Sequence, residues 1–297
     1  MLKSLVFLIV ISFGVISCDR FNPGKEIITN CVQGSEPTKK ILFIGWDGVR
    51  SDALQQANTP NLDSLLQNSL VSYNCDRGEH TVSVPGWSTV LHGVWPAKHN
   101  LKENSFRNNR YDDYPDIITI TKQFKPNLSA TVLTNWDDFL RITSNENYAQ
   151  RYENDQQVTS AAIQLLNDCT PDMMFLHLDY PDYIGHRLGF SPDIIEYIGA
   201  IEVADFYLGQ VMEVIRERES SFSEEWMVVL TTDHGGNGTG HGGQDHLTQT
   251  RKVWTVVRTP NGIQQVINEL NSVDLMPTML KWLDIIGVPN LDGTPLI

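Results

Sequence analysis

The sequence predicts an α/β fold, a mostly parallel central sheet with helices on both faces. Two observations carry this expectation. Continuous apolar runs recur at residues 41–46, 130–134, 173–178, 226–232 and 253–257. Runs without alternation mark strands buried on both faces. Segments with helical periodicity lie between them, and strands alternating with helices build parallel sheets.

Each element has its own signal. Residues 61–70 follow Thr59-Pro60 and predict a short helix. Residues 155–167 place Val158, Ala161, Ala162, Leu165 and Leu166 on one helical face. Residues 193–218 give the clearest helix, with Ile194, Ile198, Ile201, Leu208, Val211, Met212 and Ile215 repeating at the helical period after Ser191-Pro192. Residues 273–285 predict a closing helix carrying Leu275, Met279, Leu280, Trp282 and Leu283. Residues 107–116 are polar and rich in Tyr and Asn, as in a surface loop.

The chain holds 36 acidic and 22 basic residues, a net charge of −14. Such a surface repels polyanions, so no nucleic-acid-binding face is expected. If the substrate is a phosphate ester, cations in the site must supply the attraction. Lys3 and the apolar residues 5–16 read as an export signal, too short to span a bilayer. Val15-Ile16-Ser17-Cys18 resembles the end of a bacterial lipoprotein signal, which implies cleavage before Cys18 and lipidation of its thiol. A plain secretory signal or an uncleaved anchor is the alternative. The expected organisation is a signal peptide at 1–17, a polar tether at 18–40 and one catalytic domain at 41–297. The expected location is the bacterial cell envelope, with membrane attachment through Cys18 and no protein partner. Cys31, Cys75 and Cys169 remain. An exported chain can pair two of them, Cys31 with Cys75 being conceivable, but sequence leaves the pairing open.

Polar residues just after the apolar runs carry the chemistry. Asp47 follows the first run; Asp179, Asp182 and His186 follow the run at 173–178; Asp233, His234 and then His241 follow the run at 226–232. Any one strand-end Asp is explained as a cap or turn. Several on one edge of a parallel sheet repel each other, and divalent cations resolve that repulsion. Mixed oxygen and nitrogen donors suit two zinc-like sites. Ser83 stands two residues before Pro85, which suits the first turn of a helix. A helix N-terminus favours a phosphate and a deprotonated hydroxyl. Taken alone, Ser83 is better explained as an N-cap.

Together these segments resemble the alkaline phosphatase superfamily, in its type I phosphodiesterase / nucleotide pyrophosphatase branch. The motifs are ILFIGWDGVRSDAL at 41–54, TVSVPGWSTVLHGVWPAKHN at 81–100, YPDYIGHRLG at 180–189, and TTDHGG at 231–236 with GHGG at 240–243. The closing segments at 273–278 and 292–296 are also similar to the superfamily's tail. The resemblance implies an alkaline phosphatase-like core and two divalent ions, with zinc the expected metal. It implies one ion on Asp47, Asp233 and His234, in contact with Ser83. It implies a second on Asp182, His186 and a third histidine, His241, with His246 a near competitor. It gives Asn104 the task of holding a phosphate oxygen, although a turn Asn explains that residue almost as well.

The implied reaction is hydrolysis of a small phosphodiester or pyrophosphate, nucleotide-like, through a covalent phospho-Ser83. The alternatives are a sulfatase or phosphonate hydrolase of the same superfamily, or a non-catalytic metal-stabilised binding lipoprotein. Trp87 stands where the sulfatase motif carries Arg, and Trp46 precedes Asp47 where sulfatases tend to carry a second Asp. Both departures argue against a calcium sulfatase. The mutase branches carry a large inserted domain for which this chain has no room. The aromatics Trp87, Trp95, Tyr111, Tyr114, Trp136 and Tyr183 either anchor the core and loops or stack a base or sugar.

Overall fold

A computed structural model describes residues 38–168 and 171–297. The expectations placed on the signal peptide, Cys18, Cys31, Cys169 and most of the tether lie outside these residues. The described strands are β1 Thr38–Trp46, β2 Ser69–Asp76, β3 Ala130–Thr134, β4 Tyr148–Arg151, β5 Met173–Leu178, β6 Glu224–Thr231, β7 Lys252–Arg258, β8 Gln265–Val266 and β9 Leu270–Asn271. They form one sheet in the order β4-β3-β5-β1-β6-β7-β2-β8, with β9 also on β2. The pairs β3·β4, β3·β5, β1·β5 and β1·β6 are parallel. Strand β7 is antiparallel to both its neighbours, β6 and β2, so it alone runs against the rest. The expected mostly parallel sheet is present.

The helices are α1 Ser51–Gln56, α2 Pro60–Leu66, α3 Ser83–His92, α4 Pro96–His99, α5 Ile117–Phe124, α6 Phe139–Ile142, α7 Asp155–Asp168, α8 Tyr180–Leu188, α9 Ile195–Ser221, α10 Thr248–Arg251 and α11 Leu275–Trp282. Side chains alternate across β1, and two cores result. Leu42, Ile44 and Trp46 face a core with Leu62 of α2, Val158 and Ala162 of α7, and Ile201 and Leu208 of α9. Ile41 and Phe43 face the other, with Trp87 and Val90 of α3, Ile117 of α5, and Leu275 and Met279 of α11. Helices therefore cover both faces, as the unalternating apolar runs require.

Several boundaries depart from expectation. Strand β1 includes Thr38, Lys39 and Lys40, three residues expected in the tether. Thr38, Lys39 and Lys40 extend the ladder against Glu224, Glu225 and Trp226. Lys40 is buried, with its ammonium 3.0 Å from Asp172, so a lysine that reads as solvated tether is part of the sheet. The helix expected at 61–70 stops at Leu66, and Leu70 belongs to β2. The closing helix begins as a 3₁₀ turn at Ser272–Asp274 and ends at Trp282. Cys75 is a buried free thiol, and burial pushes its pKa up to about 12. It is therefore unreactive in the folded state.

Candidate metal centre

The central strands β5, β1 and β6 lie side by side, and their carboxyl ends meet at one edge. The Asp47 amide donates to the carbonyl of Leu178 at 2.9 Å, which locks the end of β1 to that of β5. Gly48 then turns with φ of 68°, and a Cβ there would sit 2.9 Å from the Cα of Asp182. Only glycine allows α8 to lie this close to the β1 turn. Pro181 occupies the first turn of α8, so Asp182 and His186 fall one turn apart on one helical face.

Helix α3 covers the opposite side. Its N-cap is Val82, which has no side chain able to cap, so Ser83 is the first helical residue and is not the N-cap. Its Oγ lies 3.1 Å from His234 Nε2. The Val84 amide at the same helix start donates to Asn104 Oδ1 at 2.9 Å. That contact assigns the amide oxygen inward to the helix and leaves the Asn104 NH₂ free to donate elsewhere. Gly86 lets α3 approach the β6 end, because a Cβ there would lie 2.8 Å from Asp233 Cβ.

Three groups of donors result among the described residues, one of them Asp47 with His177 and Asp179, and two match the expected ligand sets. Asp47, Asp233 and His234 offer ligand atoms within 4.8 Å of one another, all buried. Asp182, His186 and His241 form a second such group. His246, among the described residues, belongs to none of the three. Within the first group His234 Nε2 is 3.2 Å from Asp233 Oδ2 and 3.5 Å from Asp47 Oδ1. Within the second, His186 Nε2 is 3.3 Å from Asp182 Oδ2 and 3.0 Å from His241 Nε2.

The three histidines share one orientation. Nδ1 of His234 faces the Gly235 carbonyl at 2.9 Å, Nδ1 of His186 the Thr239 carbonyl at 3.0 Å, and Nδ1 of His241 the Thr81 carbonyl at 2.7 Å. A carbonyl only accepts, so each Nδ1 carries the proton and each Nε2 lone pair points into the site. Metal-ligating histidines are oriented this way. Asp47 Oδ1, Asp182 Oδ1 and Asp233 Oδ2 are buried without a hydrogen-bond partner. Buried oxygens are normally satisfied. Bare carboxylate oxygens facing bare imidazole nitrogens fit divalent cations better than they fit an empty core.

The electrostatics agree with that chemistry. Burial, and then the charge of Asp47, raises the Asp233 carboxyl well above the usual carboxylate range. Burial, Asp47 and Asp179 do the same to Asp182. Burial, and then His241, pushes His234 well below an ordinary imidazole. Asp47 goes the other way. Burial works to raise it, but the hydrogen bond from His177 and the fields of His234 and His177 outweigh that and hold it low. One ionised carboxylate among neighbours that resist ionising is a site short of positive charge.

Two participants escaped the sequence. Arg77 is buried and donates to the backbone carbonyls of Asp233, Glu79 and Val82 at 2.7, 2.9 and 3.2 Å. It ties the β6 turn to the start of α3. His177 lies inside β5 with Nε2 2.9 Å from Asp47 Oδ2. Only its polar side chain within an apolar run signalled it. Of the aromatics, Trp87 is buried and donates to Asp47 Oδ2 at 2.9 Å. Trp136 packs on His177 and Tyr111 stacks on His92. Tyr183 is exposed beside Tyr180.

Comparison with known proteins matches residues 46–264 to the Metalloenzyme superfamily. A 2,3-bisphosphoglycerate-independent phosphoglycerate mutase of Haloquadratum walsbyi is 30% identical over 146 residues, 48% of this chain and 27% of the mutase. Ectonucleotide pyrophosphatase/phosphodiesterase family member 7 of Mus musculus is 23% identical over 239 residues, covering 70% of this chain and 53% of that protein. The chain thus spans about half the length of that relative, and about a quarter of the mutase. Among solved structures, murine ectonucleotide pyrophosphatase / phosphodiesterase 5 with AMP superposes with a TM-score of 0.70 at 14% identity, over 86% of this chain and 97% of that one. A 2-O GAG sulfatase gives 0.69 at 13%, over 88% and 73%. The phosphonate monoester hydrolase of Agrobacterium radiobacter gives 0.65 at 14%, over 86% and 76%. At these identities the structural likeness speaks for the fold, while the match at 46–264 covers most of the sequence. The chain belongs to the Metalloenzyme superfamily and has its alkaline phosphatase-like fold.

Proposed function

We propose that this chain hydrolyses small phosphodiesters or pyrophosphates, nucleotide-like in class, through a covalent phospho-Ser83. The observation that carries the proposal is Ser83 Oγ at the first turn of α3, 3.1 Å from His234 Nε2, beside the buried oxygens Asp47 Oδ1 and Asp233 Oδ2, which lack a hydrogen-bond partner. Asp47, Asp233 and His234 would hold one divalent cation, and Asp182, His186 and His241 a second, with zinc the expected metal. When bound, these cations lower the pKa of a nearby hydroxyl and stabilise charge on phosphoryl oxygens.

The chain's own residues supply the rest. Ser83 Oγ forms the new bond to phosphorus as the bond to the leaving oxygen breaks. The positive end of the α3 dipole and the Asn104 NH₂ would stabilise the charge that develops on the phosphoryl group, the Val84 amide being engaged by Asn104 Oδ1. Water then attacks phospho-Ser83, restores the serine hydroxyl and releases phosphate or a phosphomonoester. Asp47, Asp233 and His234 are buried, and the low dielectric there strengthens each of these interactions. The expectations of export, of a lipid anchor at Cys18 and of a cell-envelope location complete the proposal, with no protein partner and no nucleic-acid surface. Among the described residues, no helix is long and apolar enough to cross a membrane.

A second proposal is a sulfatase or phosphonate hydrolase, supported by the structural likeness to both. Trp87 weighs against the sulfatase, because the position of that motif's Arg is filled by an indole bound to Asp47. Turnover of bis-p-nitrophenyl phosphate, a phosphonate ester and p-nitrophenyl sulfate by zinc-loaded protein separates the proposals. The diester is expected to be the best substrate. Ser83→Ala is expected to lower that turnover by on the order of a thousandfold or more. Undiminished turnover by Ser83→Ala would sink the mechanism, and no turnover of any ester by the native protein would favour a non-catalytic binding lipoprotein.

A further inference from the structure

Four histidines point toward the site edge, and one differs from the other three. His186, His234 and His241 turn a protonated Nδ1 to backbone carbonyls and point the Nε2 lone pair into the site. His177 presents Nε2 to a carboxylate, Asp47 Oδ2, at 2.9 Å. The same oxygen already accepts from the Trp87 indole, and a carboxylate oxygen accepts, so here Nε2 carries the proton. The other nitrogen, Nδ1, lies 3.2 Å from the Thr134 hydroxyl. Neither nitrogen is left for a cation, although His177, Asp47 and Asp179 bring their ligand atoms within 4.8 Å of one another.

The surroundings fix the ring in this pose. His177 is fully buried, between Trp87, Trp136 and Phe139 at 5.4, 5.6 and 4.6 Å. The Trp87 indole donates to the same Asp47 oxygen, at 2.9 Å. Two N–H donors thus occupy Oδ2, while Oδ1 is buried with no partner and faces His234 Nε2 at 3.5 Å. The two oxygens of one carboxylate are divided between the protein and the site.

We infer that His177 is a positioning residue that, with Trp87, pins Asp47 Oδ2 and aims Oδ1 at the ion beside Ser83. The inference rests on the proposal that Asp47, Asp233 and His234 hold a cation. Without the imidazole, Asp47 is free to rotate and the Trp87 contact alone holds it. Losing such an orienting partner weakens metal affinity by about 10–100-fold.

The experiment is zinc titration against a chromophoric chelator, on native protein, His177→Ala and His177→Gln, with thermal melting to confirm folding. Native protein is expected to bind two ions. His177→Ala is expected to keep that stoichiometry but to hold one ion about 10–100-fold more weakly, leaving the other unchanged. His177→Gln keeps an N–H donor near the same place and is expected to recover most of the affinity. If the alanine variant does not fold, His177→Asn replaces it, because its amide is too short to reach Asp47. Equal affinity in all variants overturns the inference, and so does a glutamine variant as weak as the alanine one. An ion lost outright from His177→Ala, with native protein binding three, makes His177 a ligand and also overturns it. Native protein that binds no zinc overturns the two-cation proposal itself and takes the inference with it.

Discussion

The two ends of the site are built differently. The end beside Ser83 is sealed: the side chains of Asp47, Asp233 and His234 are at most 1% exposed. At the other end the His186 side chain is 46% exposed. The sealed end is assembled from the ends of β1 and β6, the first turn of α3 and the buried Arg77. The open end hangs on one turn of α8 and the loop that carries His241. A nucleophile gains most from donors that are rigid and desolvated before the reaction starts. In the proposed reaction substrate and leaving group would exchange with solvent, and the open end would allow that.

The largest expected effect comes from breaking the sealed end. Under the proposed mechanism Asp233→Asn would remove a ligand from the cation beside Ser83, worth several kcal/mol, or roughly a thousandfold in rate. Diesterase kcat is the measurement. The metal-free variant is expected to melt no lower than metal-free native protein, because the substitution removes a buried carboxyl crowded by Asp47. His186→Ala at the open end is expected to lose about 10–100-fold, with partial recovery as zinc is raised. An equal loss in both variants, insensitive to zinc, would erase the distinction between the two ends.

Removal of metal sharpens the same contrast at a smaller scale. Added chelator is expected to withdraw ions in two phases. The fast phase belongs to the open end, where a chelator reaches His186 directly. The slow phase belongs to the sealed end. Stopped-flow absorbance with a chromophoric chelator reads both phases, and His186→Ala is expected to accelerate only the first. A single phase in native protein means that the two ends do not differ in access.

The sealed end was also the more legible in sequence. Asp47, Asp233 and His234 directly follow central strands that are buried on both faces, so the apolar runs announced where those strands end. Asp182 and His186 were legible by their four-residue spacing, whereas the choice of His241 over His246 needed the fold of the intervening loop. The missed strands are those without an apolar signal. Strand β4 is short and half exposed at the sheet edge, and β2 mixes buried and exposed positions irregularly. His177 and Arg77 were missed for opposite reasons. The former hides in a run that reads as core, and the latter in a polar loop that reads as solvated. Their roles depend on partners far away in the chain, Asp47 for His177 and Asp233 for Arg77, and local pattern does not carry such pairings.

The last expected effect concerns stability rather than rate, and what holds the sealed end from behind. His99 ends α4 and is buried, with Nε2 3.2 Å from the Thr89 hydroxyl of α3. Its Nδ1 accepts from the Leu101 amide at 3.2 Å, so the ring is neutral. Burial, and then the charges of His92 and Arg77, push its pKa down from 6.5 to about 3. Below pH 6.5 the unfolded chain therefore takes up a proton that the folded chain refuses until about pH 3. The sign follows: stability from this group is fully present above pH 6.5 and is lost as pH falls through that window, by at most about 1.4 kcal/mol per unit. Chemical denaturation of native protein between pH 7 and 4 is expected to show this slope together with that of the other buried imidazoles whose pKa burial lowers, His234, His92 and His241, and His99→Gln, which does not titrate, to reduce it by up to about 1.4 kcal/mol per unit. Because His99 bonds to the helix that carries Ser83, acid is expected to lower Tm and to loosen α3 together. A His99→Gln variant with the full acid slope would place the proton uptake elsewhere and leave the rear of the sealed end without this sensitivity.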